Sequence, residues 1–310
     1  MNKKLISLYI SLFTLFFLSQ CLIKSELILD TFFQTIHLWF YNLFPSIFLF
    51  FTITDILSNY NFSYYLSCFL GKIFQKIYHL PEISSYAFFM STVSGFPGNS
   101  KLIKDLLDNG EITSMDASKL LTMTHFSNPL FIIYTIGINF LHDKKIGILI
   151  LLVHFLTNFL VGFLFRNIFL DKNSHKPLSF HPSKPFMMML KESFTNNFIT
   201  LLNVLGILLF FAIISSIITY YLELNPFSDM LLKGFLEITN GLNALSLLSL
   251  DKIKAATIAT FFISFGGISI HLQIMSILNN YHLNYFIYFI ARLLHGTIAS
   301  LIIFLILIYH

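Results

Sequence analysis

Charge is what this sequence has least of: only 11% of its residues are Asp, Glu, Lys or Arg, under half of the ~25% usual in soluble domains. Arginine occurs only at Arg166 and Arg292, against 17 lysines. The net charge of +4 is scattered, and without a basic stripe interleaved with aromatics it excludes a nucleic-acid surface. Cysteine is nearly absent. Cys21 and Cys68 form no CxxC pair, which excludes a disulfide framework. The 11 histidines are dispersed without an HExxH, and His175 and His181 sit in a polar loop as solvated side chains. No GxxxxGK[ST] loop is present to hold a nucleotide. No paired acid and base and no Ser, His and Asp cluster mark a catalytic centre. The chain therefore reads as a non-enzyme with no cofactor and no metal.

What is abundant is apolar. Hydrophobic residues make up 56% of the chain and the mean hydropathy is +0.76. Residues 5–23, 39–57, 146–165, 198–221 and 286–309 are apolar runs long enough to cross a ~30 Å hydrocarbon core as helices. The fold class is all-α membrane: a polytopic helical transporter with inverted repeats and re-entrant or broken helices. The wealth of Phe, Ile, Asn, Lys and Tyr matches AT-rich coding rather than an aromatic binding surface. The basic, apolar start through Cys21 resembles a signal peptide. Gln20 is too large for a lipoprotein cleavage box, so residues 1–30 read as a retained span.

Counting Lys and Arg between runs places the N-terminus, with Lys3 and Lys4, and the loop 166–195 in the cytoplasm of a bacterial cell. That loop carries Arg166, Lys172, Lys176, Lys184 and Lys191, and Pro177, Pro182 and Pro185 keep it irregular. Residues 24–30 lie outside, and His142–Lys145 form a short outer turn. Residues 61–80, with Lys72 and Lys76 at apolar spacing, fit a helix lying in the interface. A first repeat over residues 31–145 and a second over 197–280 each read as a span, an interrupted segment and a second span with polar residues at its middle. A connecting span and basic loop (146–196) separate them, and a last span (281–310) follows. The two repeats face opposite ways, the plan of many secondary transporters.

The interruptions supply the candidate site. In "SGFPGNSK" a turn lies where lipid is expected, which requires burial in protein or a wet cavity. Ser94, Gly95, Pro97 and Gly98 form the tip, Asn99 and Ser100 are expected to cap a second half-helix, and Lys101 to deepen an anion site at its N-terminus. In "FSNPLF", Ser127 and Asn128 precede a proline that breaks or kinks the span. "LEITNG" places Glu237, Thr239 and Asn240 in an apolar segment, where a carboxylate costs roughly 2.5–3.5 kcal/mol and reads as a coupling-ion or proton site. "FGGISIHLQ" sets His271 and Gln273 beside Gly266 and Gly267. Arg292 and His295, three apart on one face of the last span, are expected to meet Glu237 or a bound anion.

These same stretches resemble a known family. "SGFPGNSKLIKDLLDNGEIT", "HFSNPLFIIYTIG", "GFLEITNGLNAL", "FGGISIHLQIMSI" and "ARLLHG" are similar, in that order and from Trp39 to the end, to the motifs of the YlbJ (SpoVV) sporulation membrane proteins. Asn99 and Ser100 stand where Gly-Ala is common, and the run before Pro129 also departs from the usual pattern. The resemblance implies a nucleoside-recognition, or Gate, type domain, distantly similar to concentrative nucleoside transporters. It implies a small anionic solute, dipicolinate moving into the developing spore, in a membrane that surrounds the forespore. A nucleoside-type metabolite is the alternative solute. A non-transporting gate or scaffold is the alternative role. A homo-oligomer or other sporulation membrane proteins are the partners implied.

Overall fold

Apolar runs of this length close their backbone hydrogen bonds internally, because lipid offers the backbone no other partner. In the computed structural model, which describes residues 3–168, 178–180 and 182–309, they do so as helices. Six helical segments among the described residues are long and apolar enough to cross a membrane, so the chain is a multi-pass membrane protein. Lys172, His175, Lys176, Pro177 and His181 lie outside the described residues.

The first segments are α1 (Lys3–Ile23), α2 (Ser25–Leu38) and α3 (Phe44–Asn59), the last two joined by a wide π turn at Trp39–Leu43. The outer loop expected over residues 24–30 is only Lys24, since Glu26 already sits in the first turn of α2, where the helix dipole favours it. Next, α4 (Phe62–Tyr78) buries Ser67, Gly71, Phe74 and Tyr78 along one stripe and exposes Lys72 and Lys76, as an interfacial helix does.

Two arms follow, α5 (Ser84–Ser94) and α6 (Gly98–Asp108), joined by a tight turn at residues 95–97. Then α7 (Ser114–Leu121) gives way to an unwound stretch, residues 122–128, before a π-helix at Phe131–Phe140 and α8 (Lys144–Leu164). The second half is α9 (Phe186–Leu222), the arms α10 (Pro226–Leu236) and α11 (Ile238–Ser246) broken at Glu237, then α12 (Lys252–Phe265), α13 (Gly267–Ile277) and α14 (Tyr285–Tyr309). The polar loop expected to reach residue 195 ends at Pro185. Proline fixes φ there and α9 starts on the next residue.

Apart from α4, which has no counterpart in the second half, the order of elements recurs: long helix, two-armed hairpin, interrupted helix, long helix. The hairpins enter from opposite ends. At one end Asn59 exchanges hydrogen bonds with the Lys184 backbone at 3.1 and 3.0 Å, and Tyr281 donates to Asp108 at the base of the first hairpin. At the other, Thr219 donates to Asp229 at the base of the second at 2.8 Å. There Lys252 also bonds Asp143, in the turn before α8, at 3.0 Å. The Lys252 ammonium and the Ile146 N–H hold the Asp143 carboxyl below its usual range, so this tie persists through neutral pH and is lost only as pH falls through the lowered value.

Lipid adds little hydrophobic drive between helices, so close backbone approach through small residues must supply the packing. A Cβ on Gly241 would lie 2.2 Å from the Gly234 Cα, and one on Gly137 2.7 Å from the Gly147 Cα. Gly206 has open space beside it. Gly241→Ala should therefore lower thermal stability in detergent, by ~1–3 kcal/mol of overpacking. Gly206→Ala should leave it unchanged or raise it. Equal effects of the two would contradict this packing.

Candidate functional site

Four backbone interruptions sit side by side. At the first tip Gly95 has φ +70° and lies against Asn128, whose N would be 2.6 Å from any Cβ added there. Beside it the Phe96 N–H donates to the Phe126 carbonyl at 2.8 Å, and the Asn99 amide reaches Thr124 Oγ1 at 3.4 Å. The unwound stretch in turn lies on the α12–α13 break. Gly266, at φ +92°, packs under the His125 ring, with room for no Cβ: Nε2 would be 2.6 Å away. Finally Gly267 packs on Ile238 and the Gly234 carbonyl in the second hairpin. Glycine is required at 95 and 266 twice over, by positive φ and by contact.

A chain unwound at membrane depth frees carbonyls and N–H groups that protein must satisfy. Arg292 does this from α14. It is fully buried, donating through both terminal nitrogens to Asn158 Oδ1 at 3.1 Å and through Nη2 to the Thr122 carbonyl. Asn158 passes the link on, its amide donating to the Met123 carbonyl at 2.9 Å. The Ser127 N–H donates to His154 Nε2 at 3.0 Å, which leaves His154 Nδ1–H to donate to Ser264 Oγ at 2.8 Å. His295 Nε2 donates to the His154 carbonyl at 2.9 Å, so its Nδ1 accepts from Arg292 at 2.9 Å. Each histidine is thus held as one neutral tautomer. Every hydrogen-bond acceptor around the Arg292 guanidinium is neutral.

In the second hairpin the Glu237 carboxylate accepts from the Thr239 and Asn240 N–H groups at 2.9 and 2.7 Å, capping α11. Between the two tips lies a cavity of about 30 Å³ lined by Phe96, Pro97, Phe131, Glu237, Ile238, Thr239, Ile270 and Gln273, and closed by Leu43, Ile47, Val204 and Leu208. That is room for a water or two. Both polar atoms of Gln273 are buried there without a hydrogen-bond partner, as are Ser94 Oγ, Asn99 Oδ1, Ser269 Oγ and Arg292 Nε around the breaks.

Of the residues singled out in the sequence, Pro97, Glu237, Thr239 and Gln273 line the cavity. Ser94, Gly95, Gly98, Asn99, Ser127, Asn128, Gly266 and Gly267 build the breaks around it. Asn240 reaches Thr35 at 3.5 Å, and His271 donates to the Phe265 carbonyl at 3.0 Å at the start of α13. Three expectations are corrected. Lys101 does not face the site: it is taken by Asp55 of α3 and by Asn197 of α9 at 2.8 Å. Arg292 does not meet Glu237, because the α11 N-terminus already holds that carboxylate and the unwound carbonyls hold the guanidinium. Asn99 and Ser100 do not cap α6; Pro97 is the N-cap, without a side-chain bond, and Ser100 donates back to the Pro97 carbonyl at 2.6 Å. Asp55, His125, His154, Asn158 and Asn197 were not anticipated. The signal for two of them was present: His154 and Asn158 are four apart, on one face of an otherwise apolar span.

The chain is 25% identical, over 98% of its length, to the sporulation integral membrane protein YlbJ of Bacillus subtilis (strain 168), of which it covers 83%. No family model matches the chain. No solved structure matches it.

Removing Asn158 should strand the Arg292 charge and the Met123 carbonyl together. Asn158→Leu is expected to cost about 3 kcal/mol or more, since buried charged donors are expensive to leave unpaired. Arg292→Lys should not substitute, having no planar fork to bridge two acceptors. The double variant Asn158→Leu/Arg292→Met should lose less than the sum of the two single changes. Additive losses in detergent unfolding would show that the pair does not act as one clamp.

Proposed function

We propose that this chain, similar over 98% of its length to the sporulation integral membrane protein YlbJ, is a Gate-type transporter of a small anionic solute, dipicolinate during spore formation. The observation that carries the reading is the meeting of four helix breaks around unpaired polar side chains, above all Gln273. Irregular backbone at membrane depth belongs where it lines a cavity, and transporters build their midplane sites from such discontinuous helices.

Arg292 supports an anionic solute. Like Glu237, which is held by two backbone N–H groups, it has only neutral hydrogen-bond partners, so its guanidinium stays charged in the centre of the bundle with no carboxylate paired to it. In a medium of low dielectric that charge acts over several ångströms. The Phe96 ring stacks on His125 at 4.6 Å between ring centres, and His125 bonds Tyr288, whose ring lies against the guanidinium. This line of packed rings leads from Arg292 to the cavity, where Phe96 is the ring that reaches the lining. The present cavity is far too small for dipicolinate, so the reading requires the hairpin tips to part during transport.

The test is uptake by proteoliposomes of labelled dipicolinate and of a labelled nucleoside, for the wild type and Gln273→Leu. Dipicolinate is expected to enter, with uptake reduced about tenfold in the variant, the worth of one hydrogen bond of ~1.4 kcal/mol. Nucleoside entry without dipicolinate entry would replace the anion by a neutral solute. Entry of neither into vesicles of folded protein would contradict transport and favour a gate or scaffold acting with partners.

A further inference from the structure

The apolar helix α9 carries polar side chains in two clusters, and both face recesses. Toward its start Thr200 and Asn203, with Gln273 and Ser276 of α13, line a recess of about 190 Å³. Asn203 is exposed although it sits well inside a membrane-length helix. Toward the other end Ser215 and Ser216 line a second recess of about 290 Å³, whose far wall is Thr31, Thr35, Asn240 and Asn243. Thr200 and Ser215 donate to the Asn196 and Ala212 carbonyls, and Ser216 accepts from Thr31; lipid cannot satisfy the exposed Asn203 amide, and water can.

The small cavity between the hairpin tips lies between these recesses. It shares Gln273 and Val204 with the first, and its Thr239 adjoins Asn240 of the second. On α9 the buried residues between the polar clusters include Val204, Leu208 and Phe211, spaced by four and three so that they fall on one face.

We infer that this face of α9 is the wall of the solute path: two water-filled vestibules, one open to each side of the membrane, separated by an apolar girdle of Val204, Leu208 and Phe211. The inference rests on the transport reading above, but the vestibules are testable without any solute. The girdle makes the path tight, because a constriction with no polar partner excludes water and charged solutes. Lys101 and Asn197, bonded to each other and to Asp55, hold α6 on α9 and α3 at the base of the first vestibule.

The experiment places single cysteines in a Cys21→Ser/Cys68→Ser background and adds a charged, membrane-impermeant thiol reagent to one side of sealed vesicles at a time. Asn203→Cys should react only from the side that also labels Lys184→Cys, and Ser216→Cys only from the other. Leu208→Cys should react from neither. Leu208→Ser should let small ions leak through vesicles that the parent protein keeps tight. Labelling as expected without dipicolinate uptake would keep the path and remove the solute. Unreactive Asn203→Cys and Ser216→Cys, beside a reactive Lys184→Cys, would overturn the path even if uptake is found. Labelling of both from one side would overturn it equally.

Discussion

Backbone that leaves the helix at membrane depth must be satisfied by protein, and in this chain Arg292 carries that task. Residues 122–128 leave the helix; Thr122 and Met123 keep turn bonds to Lys119 and Leu120, and the Asn128 carbonyl accepts from Ile132. The Thr122, Met123 and Phe126 carbonyls are taken by Arg292, Asn158 and the Phe96 N–H, and the Ser127 N–H by His154. Only arginine presents a planar fork able to hold Asn158 and a carbonyl together. The residue that charge statistics make rarest thus sits at the point where neutral helix formers cannot serve.

The rest of the arrangement follows from that support. Once the stretch is unwound, the first hairpin can lie on it through Gly95, and the α12–α13 break can lie under His125 through Gly266. The second hairpin then joins through Gly267, and its own break is closed by Glu237. The positive charge of the clamp is left without a carboxylate, and the Glu237 carboxylate is held by backbone N–H groups rather than by a cation. A fold solution to a backbone problem therefore also sets the electrostatics of the place where a solute would pass.

Much of this was legible in the residues. Gly95 and Pro97 in an apolar run announce a turn, Pro129 a break, and Gly266–Gly267 a third, since each denies the helix a partner or permits positive φ. The long helices follow from hydropathy alone. The partners were not legible, because they lie far away in sequence: Lys101 finds Asp55 at a separation of 46 residues and Arg292 finds Asn158 at 134. Without them both cations looked free to bind solute, and Glu237 looked in need of one. Its real partners are the two N–H groups just after it, a cap that only the break makes possible. The extent of unwinding before Pro129 was also hidden, since a proline kink and an unwound stretch share the same motif.

The most direct test of the account is a structure of the protein in lipid nanodiscs with dipicolinate bound. The expected result is the solute between the parted tips, beside Gln273, Pro97 and Thr239, with Arg292 still bonded to Asn158 and the Thr122 carbonyl. Solute bound elsewhere, or Arg292 withdrawn from those partners to grip it directly, would contradict the account.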